Sequence, residues 1–158
     1  MNKSFKKRLV YLFTGELFAV ITFIFLYFFY PLNPNGSYAL IYVFFILNFV
    51  LLQGSFYWFV KWKRLKTKRP LLPNFHKLLS ILKKINLILI CIAPIIFLID
   101  ITMMERMSFS VFFLTLFIYA FAIIEYINYF HIQLTNYKKG RGKKASIAKE
   151  INRITSKG

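Results

Sequence analysis

The middle of the chain carries its densest basic run, from Lys61 to Lys84, with a long apolar stretch on either side. Membrane proteins keep short basic loops of this kind on the cytoplasmic side. This basic connector would therefore orient the apolar segments around it in a membrane. The composition favours a membrane protein, because 58% of the 158 residues are hydrophobic and 20 are Phe, more apolar surface than a soluble domain of this size can bury.

The cations are confined to three segments. Of the 22 Lys and Arg, four lie in Lys3–Arg8, nine in the connector and eight from Lys138 onward, and Arg106 alone lies elsewhere. A net charge of +17 is also typical of nucleic-acid-binding proteins. The clustering instead favours one membrane face and attraction to anionic lipid headgroups, so we expect no nucleic-acid partner. The same bias argues against an inverted, dual-topology dimer.

The chain contains four apolar runs, and the first, residues 9–30, is long enough to cross ~30 Å of hydrocarbon at ~1.5 Å per residue. A signal peptide also begins with a basic leader, here residues 1–8, but the first run is too long for one and no small-x-small cleavage site follows it. We therefore interpret it as a retained helix. The predicted spans are residues 9–30, 37–60, 85–101 and 108–130.

The sequence thus predicts an all-α integral membrane protein. Its transmembrane domain, residues 9–137, is expected to be a four-helix bundle made of two hairpins. We expect the protein to lie in the plasma membrane. On its cytoplasmic side we expect both termini, the connector 61–84 and a basic tail 138–158.

The segments between the spans have their own signatures. Pro31–Gly36 is an uncharged turn, and Asp100, Glu105 and Arg106 mark a second outer loop. After Pro70–Pro73, apolar residues at helical spacing predict an amphipathic lead-in lying in the interface before the third span. Pro94 should kink that span.

The chain continues in a helical pattern after the fourth span. Its pattern stays helical to about Tyr137, longer than a membrane is thick, and Lys138–Lys144 is expected to be a flexible basic hinge. Ile147, Ala148, Ile151 and Ile154 then recur at helical spacing. This last pattern predicts a solvated or lipid-surface helix, with a docking helix for a partner as the alternative.

Polar side chains inside a span are costly and are functional candidates. Glu16 lies about two turns inside the first span and Gln53 at the same depth in the second, so the two can meet by a hydrogen bond. On the fourth run, four polar residues fall within an arc of roughly 120°: Glu125, Asn128, His131 and Thr135. Three interpretations remain open for these groups: interhelical bonds that only stabilise the bundle, a proton- or cation-coupled site, and a groove for a partner or lipid.

Two sets of candidate residues follow. The candidate intramembrane site comprises Glu16, Gln53, Glu125, Asn128 and His131. The candidate contacts to anionic lipid are Lys61, Lys63, Arg64, Lys66, Lys68, Arg69, Lys83 and Lys84.

The sequence contains no motif that indicates catalysis. It has no HExxH, no Gly-x-Ser-x-Gly elbow and no phosphate-binding glycine loop. Neither His76 nor His131 has a second ligand at metal-binding spacing. We therefore expect no enzyme activity, no cofactor and no metal.

Two family resemblances concern short stretches of the chain. The glutamate early in the first of four helices, Glu16, is similar to that of the small multidrug transporters, although this chain is longer and lacks their balanced charge. Asn48–Phe49 followed by Tyr57–Trp58 and Lys61 resembles the GtrA-like family, which implies movement of lipid-linked sugars.

Two classes of function remain open. The first is a non-catalytic accessory or self-protection (immunity) protein that binds lipid, a membrane-protein partner or further copies of itself. The alternative is a small oligomeric transporter of a cation, drug-like solute or lipid-linked substrate that uses an intramembrane glutamate.

Overall fold

A computed structural model describes residues 3–29, 36–67, 74–103, 108–138 and 141–155. Within these residues the chain forms five helices and one two-stranded antiparallel hairpin. The elements are α1 (Lys3–Phe29), α2 (Tyr38–Thr67), α3 (Phe75–Met103), α4 (Phe109–Phe130), β1 (Ile132–Lys138), β2 (Arg141–Lys144) and α5 (Ser146–Thr155). The first four helices are long and apolar enough to cross a membrane, which confirms the predicted multi-pass bundle.

Helix α2 lies at the centre of the bundle. In its most apolar stretch 61% of the residues are buried, against 11% in α1. Helices α1, α3 and α4 each pack one face on α2 and turn large apolar side chains such as Phe18, Leu98 and Phe117 outward. Outward-facing apolar side chains of this kind suit helices whose outer faces contact lipid and not water.

Three of the helices extend beyond the predicted spans into the basic segments. Helix α1 begins at Lys3, within the predicted leader, and α2 extends into the connector as far as Thr67. Helix α3 begins at Phe75, so the predicted lead-in is continuous with the third span. The lead-in also packs on the bundle, because Phe75 is buried and stacks on Tyr57 with ring centroids 6.1 Å apart.

The prediction that the fourth helix continues to about Tyr137 is wrong. The helix ends at Phe130, and His131 leaves helical geometry with φ −126° and ψ −75°. The carbonyl of His131 then accepts a hydrogen bond from the amide of Ala145, 3.0 Å away, and β1 pairs with β2. This long-range pairing outweighs the local helical periodicity, and it places strand β2 in the segment that was expected to be a hinge.

Helix α5 packs against its own bundle, which differs from the predicted solvated or lipid-surface helix. Ala145, just before the helix, and Ile147, in its first turn, are fully buried. The helix contacts both α3 and α4. Arg64 at the end of α2 donates a 2.9 Å hydrogen bond to the carboxylate of Glu150. The start of α1, the end of α2, the start of α3, the end of α4 and α5 together form what we call the basic end of the bundle.

The opposite end is held together by Asp100. This carboxylate was predicted to mark a loop, but it lies within α3 and is only 1% exposed. One of its oxygens accepts hydrogen bonds from the hydroxyl of Ser37 at 2.7 Å and from the amide of Ala39 at 2.8 Å. Asp100 therefore caps the first turn of α2 from a neighbouring helix.

Candidate functional site

The site begins with a close approach of α2 and α4. A Cβ atom built on Gly54 would lie 2.4 Å from Cζ of Tyr129 and 2.6 Å from its hydroxyl oxygen. Only glycine leaves room for the phenol there. Tyr129 is 4% exposed, so its hydroxyl lies inside the bundle and not at the lipid surface.

Helix α1 brings a carboxylate to this hydroxyl. Leu9, Leu12, Glu16 and Val20 recur at helical spacing, and Leu9 and Val20 are buried, so Glu16 lies on the inner stripe of α1. Its carboxyl group interacts with the hydroxyl of Tyr129. Glu16 therefore faces a cavity that residues of α2, α4 and α5 also line.

A second carboxylate comes from α4. Glu125 lies one turn before Tyr129 and interacts with the same hydroxyl and with Glu16. The side-chain amide of Asn128 donates to the carboxylate of Glu125 over 3.4 Å. The structure therefore brings together three of the predicted site residues, Glu16, Glu125 and Asn128, around a tyrosine that was not predicted.

The hydroxyl of Tyr129 is the least satisfied polar atom of this group. It interacts with both carboxylates, but it makes no hydrogen bond of standard geometry with any residue that the structure describes. A buried hydroxyl without a good partner costs about 1–3 kcal/mol.

A cavity of about 100 Å³ opens beside this group. Its described lining residues are Leu12, Glu16, Trp58, Asn128, Tyr129, Ser146 and Ile147. None of them is Lys, Arg or His. Ser146 and Ile147 at the start of α5 form part of its wall, and we call this cavity beside Glu16 the acidic chamber.

Gln53 does not share this site. Its amide exchanges two hydrogen bonds with Asn86 of α3, at 3.0 and 2.7 Å, and both side chains are buried. Gln53 and Glu16 lie at similar depth, but α2 directs the glutamine toward α3 and not toward α1. The Gln53–Asn86 pair is satisfied within the bundle and fits the structural interpretation of the polar groups.

His131 and Thr135 also leave the predicted polar stripe, because α4 ends before them. His131 follows the last helical residue, with its ring 5.4 Å from that of Tyr126, and Thr135 belongs to β1. Partial burial, and then the charge of Lys83, lower the pKa of His131. His131 therefore belongs to the basic end and not to the acidic chamber.

The predicted lipid contacts cluster at the basic end. The ammonium groups of Lys61, Lys63 and Lys66 lie over the rings of Trp58, Phe59 and Trp62 at 5.3–5.9 Å, in the arrangement of cation–π contacts. Arg64 forms an ion pair with Glu150. Lys83 and Lys84 lie on α3. Lys68 and Arg69 lie outside the described residues.

Sequence reasoning missed Gly54, Tyr129 and Asn86. An isolated glycine inside an apolar span signals a close helix approach, and Asn86 is a lone amide at the start of the third span. Tyr129 gave no signal that sets it apart from the other tyrosines of the chain. Comparison of the chain with protein-family models, with curated proteins and with solved structures finds no match to any of them.

Proposed function

We propose that this chain is a small, non-enzymatic transporter of the plasma membrane that takes up a proton or small cation at Glu16 and Glu125. The observation that carries the proposal is a cavity lined by Glu16 of α1 and by Tyr129 and Asn128 of α4, with no cationic side chain among its described lining residues. Asn128 also holds the second carboxylate, Glu125. Both termini and the basic end face the cytoplasm in this proposal.

The physical reason lies in the charge of the site. An ionised carboxylate away from water is strongly unfavourable unless a cation or hydrogen-bond donors compensate it. Two carboxylates close together repel each other as well, so that the pair favours binding of a proton or a cation. The cavity beside Glu16 supplies the space, and the amide of Asn128 helps to position Glu125.

The placement of α5 supports access from the cytoplasmic side. Ser146 and Ile147 of α5 line the chamber, and α5 is attached to α2 at its polar side by Arg64 and Glu150. Movement of this short helix would open the chamber, at the cost of its contacts with α3 and α4 and of the Arg64–Glu150 pair. In this proposal α5 acts as the inner gate of the transporter.

The transport proposal predicts that Glu16→Gln and Glu125→Gln abolish proton-coupled flux, since each keeps shape and hydrogen bonding but removes a titrating group. Flux is measured in liposomes with an entrapped pH-sensitive dye, under a potential set by potassium and valinomycin. We expect the parent protein to exceed empty liposomes and both variants to fall to that background.

The matched control is Glu105→Gln, which removes a carboxylate that the sequence places in the second outer loop and should retain flux. Thermal unfolding in detergent shows whether each variant is folded. Flux in Glu16→Gln equal to that of the parent, or a parent indistinguishable from empty liposomes, would contradict the transport proposal.

A second candidate is a non-catalytic accessory or immunity protein that binds a membrane partner. It is favoured by the ties that hold the helices together, the Asp100 cap at one end and the buried Gln53–Asn86 pair between α2 and α3. Both oppose the rearrangement that alternating access requires. Such a protein should co-purify with one stable partner in fixed stoichiometry, and Glu16→Gln should leave that complex intact.

The proposed orientation predicts a labelling pattern. In a background with Cys91 replaced, because its thiol is exposed, single cysteines at positions Asn35 and Glu105 should react with an impermeant thiol reagent added outside intact cells. A cysteine at Thr67 should be protected until the cells are opened. The reverse pattern would overturn the orientation, which depends on the clustering of cations.

A further inference from the structure

We propose that Lys83, His131, Lys144 and Asn152 form a binding site for a phosphate group at the basic end of the bundle. The four residues line one cavity of about 150 Å³, several times the ~30 Å³ share of a water molecule in the liquid. They come from α3, the residue after α4, β2 and α5 respectively. The site is distinct from the acidic chamber and does not depend on the transport proposal.

The fold brings these groups together through the hairpin that replaced the end of the predicted fourth helix. Pairing of Ile132 with Lys144 and the hydrogen bond from Ala145 to the carbonyl of His131 return the chain to the end of α4. Helix α5 then starts at Ser146 and adds Ala148, Ile151 and Asn152 to the cavity wall. The site therefore exists only in the folded chain, unlike a diffuse basic tail.

The chemistry of the wall fits a phosphate. Lys83 and Lys144 supply ammonium donors, and the amide of Asn152 and the imidazole of His131 supply further N–H donors. Buried Phe130 contributes an apolar part of the cavity wall. The one carboxylate of α5, Glu150, is directed to Arg64, and none of the described lining residues is acidic.

The charge of Lys83 reaches the imidazole, as its contribution to the lowered pKa of His131 shows. The neutral imidazole still offers one N–H donor. The phosphate can come from the headgroup of an anionic lipid, since the cavity includes Phe130 at the end of α4, a helix long and apolar enough to cross a membrane, or from a soluble phosphate compound.

Binding is tested on the full-length protein in a neutral detergent, by titrating short-chain phosphatidylglycerol and inorganic phosphate separately and following thermal stability. We expect Lys83→Ala and Lys144→Ala each to weaken binding about fivefold, the equivalent of ~1 kcal/mol per well-placed cation. Asn152→Ala should weaken it too, without any change of net charge. Lys84→Ala, which removes the neighbouring charge on α3 outside the cavity, is the matched control and should bind like the parent.

Saturable binding of the lipid alone supports the site and assigns it to a headgroup, whereas saturable binding of both ligands supports it and assigns it to a free phosphate group. Melting without ligand identifies any variant that fails to fold, and Asn152→Ala then carries the comparison. Equal weakening by Lys84→Ala and Lys83→Ala would overturn the proposal in favour of diffuse attraction. Absence of binding of either ligand to the parent would also overturn it.

Discussion

Gly54→Ala is expected to lower the free energy of unfolding by about 3 kcal/mol, at the upper end of the usual cost of overpacking. The added Cβ would lie 2.4 Å from Cζ of Tyr129, well inside van der Waals contact. The phenol cannot swing away at little cost, because it is buried between α2 and α4 beside two carboxylates. Either the two helices separate or the hydroxyl withdraws from Glu16.

The measurement is thermal or denaturant unfolding in detergent, with Gly15→Ala as the matched control. A Cβ at Gly15 meets nothing within 4 Å, so alanine there should be neutral or stabilise α1 by up to ~1 kcal/mol. In a Tyr129→Ala background the space is vacated, and Gly54→Ala should then cost almost nothing. Equal unfolding of Gly54→Ala and Gly15→Ala would show that α2 and α4 do not approach so closely.

The four spans could be predicted from the sequence because length and hydropathy belong to each segment alone. Depth in the membrane also follows from counting residues along a helix. The rotation of one helix relative to its neighbours does not follow, since it depends on packing across the bundle. For this reason the depth shared by Glu16 and Gln53 did not make them partners, and each found its own contact in Tyr129 and Asn86.

The end of the fourth helix could not be predicted for a related reason. Helical periodicity continues past Phe130, but the chain forms a hairpin by pairing with residues inside the basic segment Lys138–Lys144. A local pattern does not register such a long-range competitor. Because the hairpin forms in place of the helix end, Thr135 lies outside the polar stripe. The cavity around His131 has the same origin.

Asp100→Ala should produce a loss of similar size, about 3 kcal/mol, because hydrogen bonds to a charged group contribute ~1.5–3 kcal/mol and a buried donor left without its acceptor adds a penalty. The amide of Ala39 would lose its acceptor, and the hydroxyl of Ser37 would lose its 2.7 Å bond to the carboxylate. The same hydroxyl accepts a hydrogen bond from the amide of Leu40 at 3.1 Å. Removal of one carboxylate therefore disturbs the whole first turn of α2. A negative charge at this end of the helix also interacts favourably with the helix dipole.

Asp100→Asn is the matched control, since its amide oxygen can still accept hydrogen bonds from Ser37 and Ala39 while the charge is lost. It should cost less than Asp100→Ala in the same unfolding measurement. Hydrogen exchange locates the effect: the amides of Ala39 and Leu40 should exchange faster in Asp100→Ala, whereas those around Val50 should keep the rate of the parent. Uniform acceleration along α2 would mean that Asp100 stabilises the bundle in general, and unchanged exchange at Ala39 would remove its role as a cap.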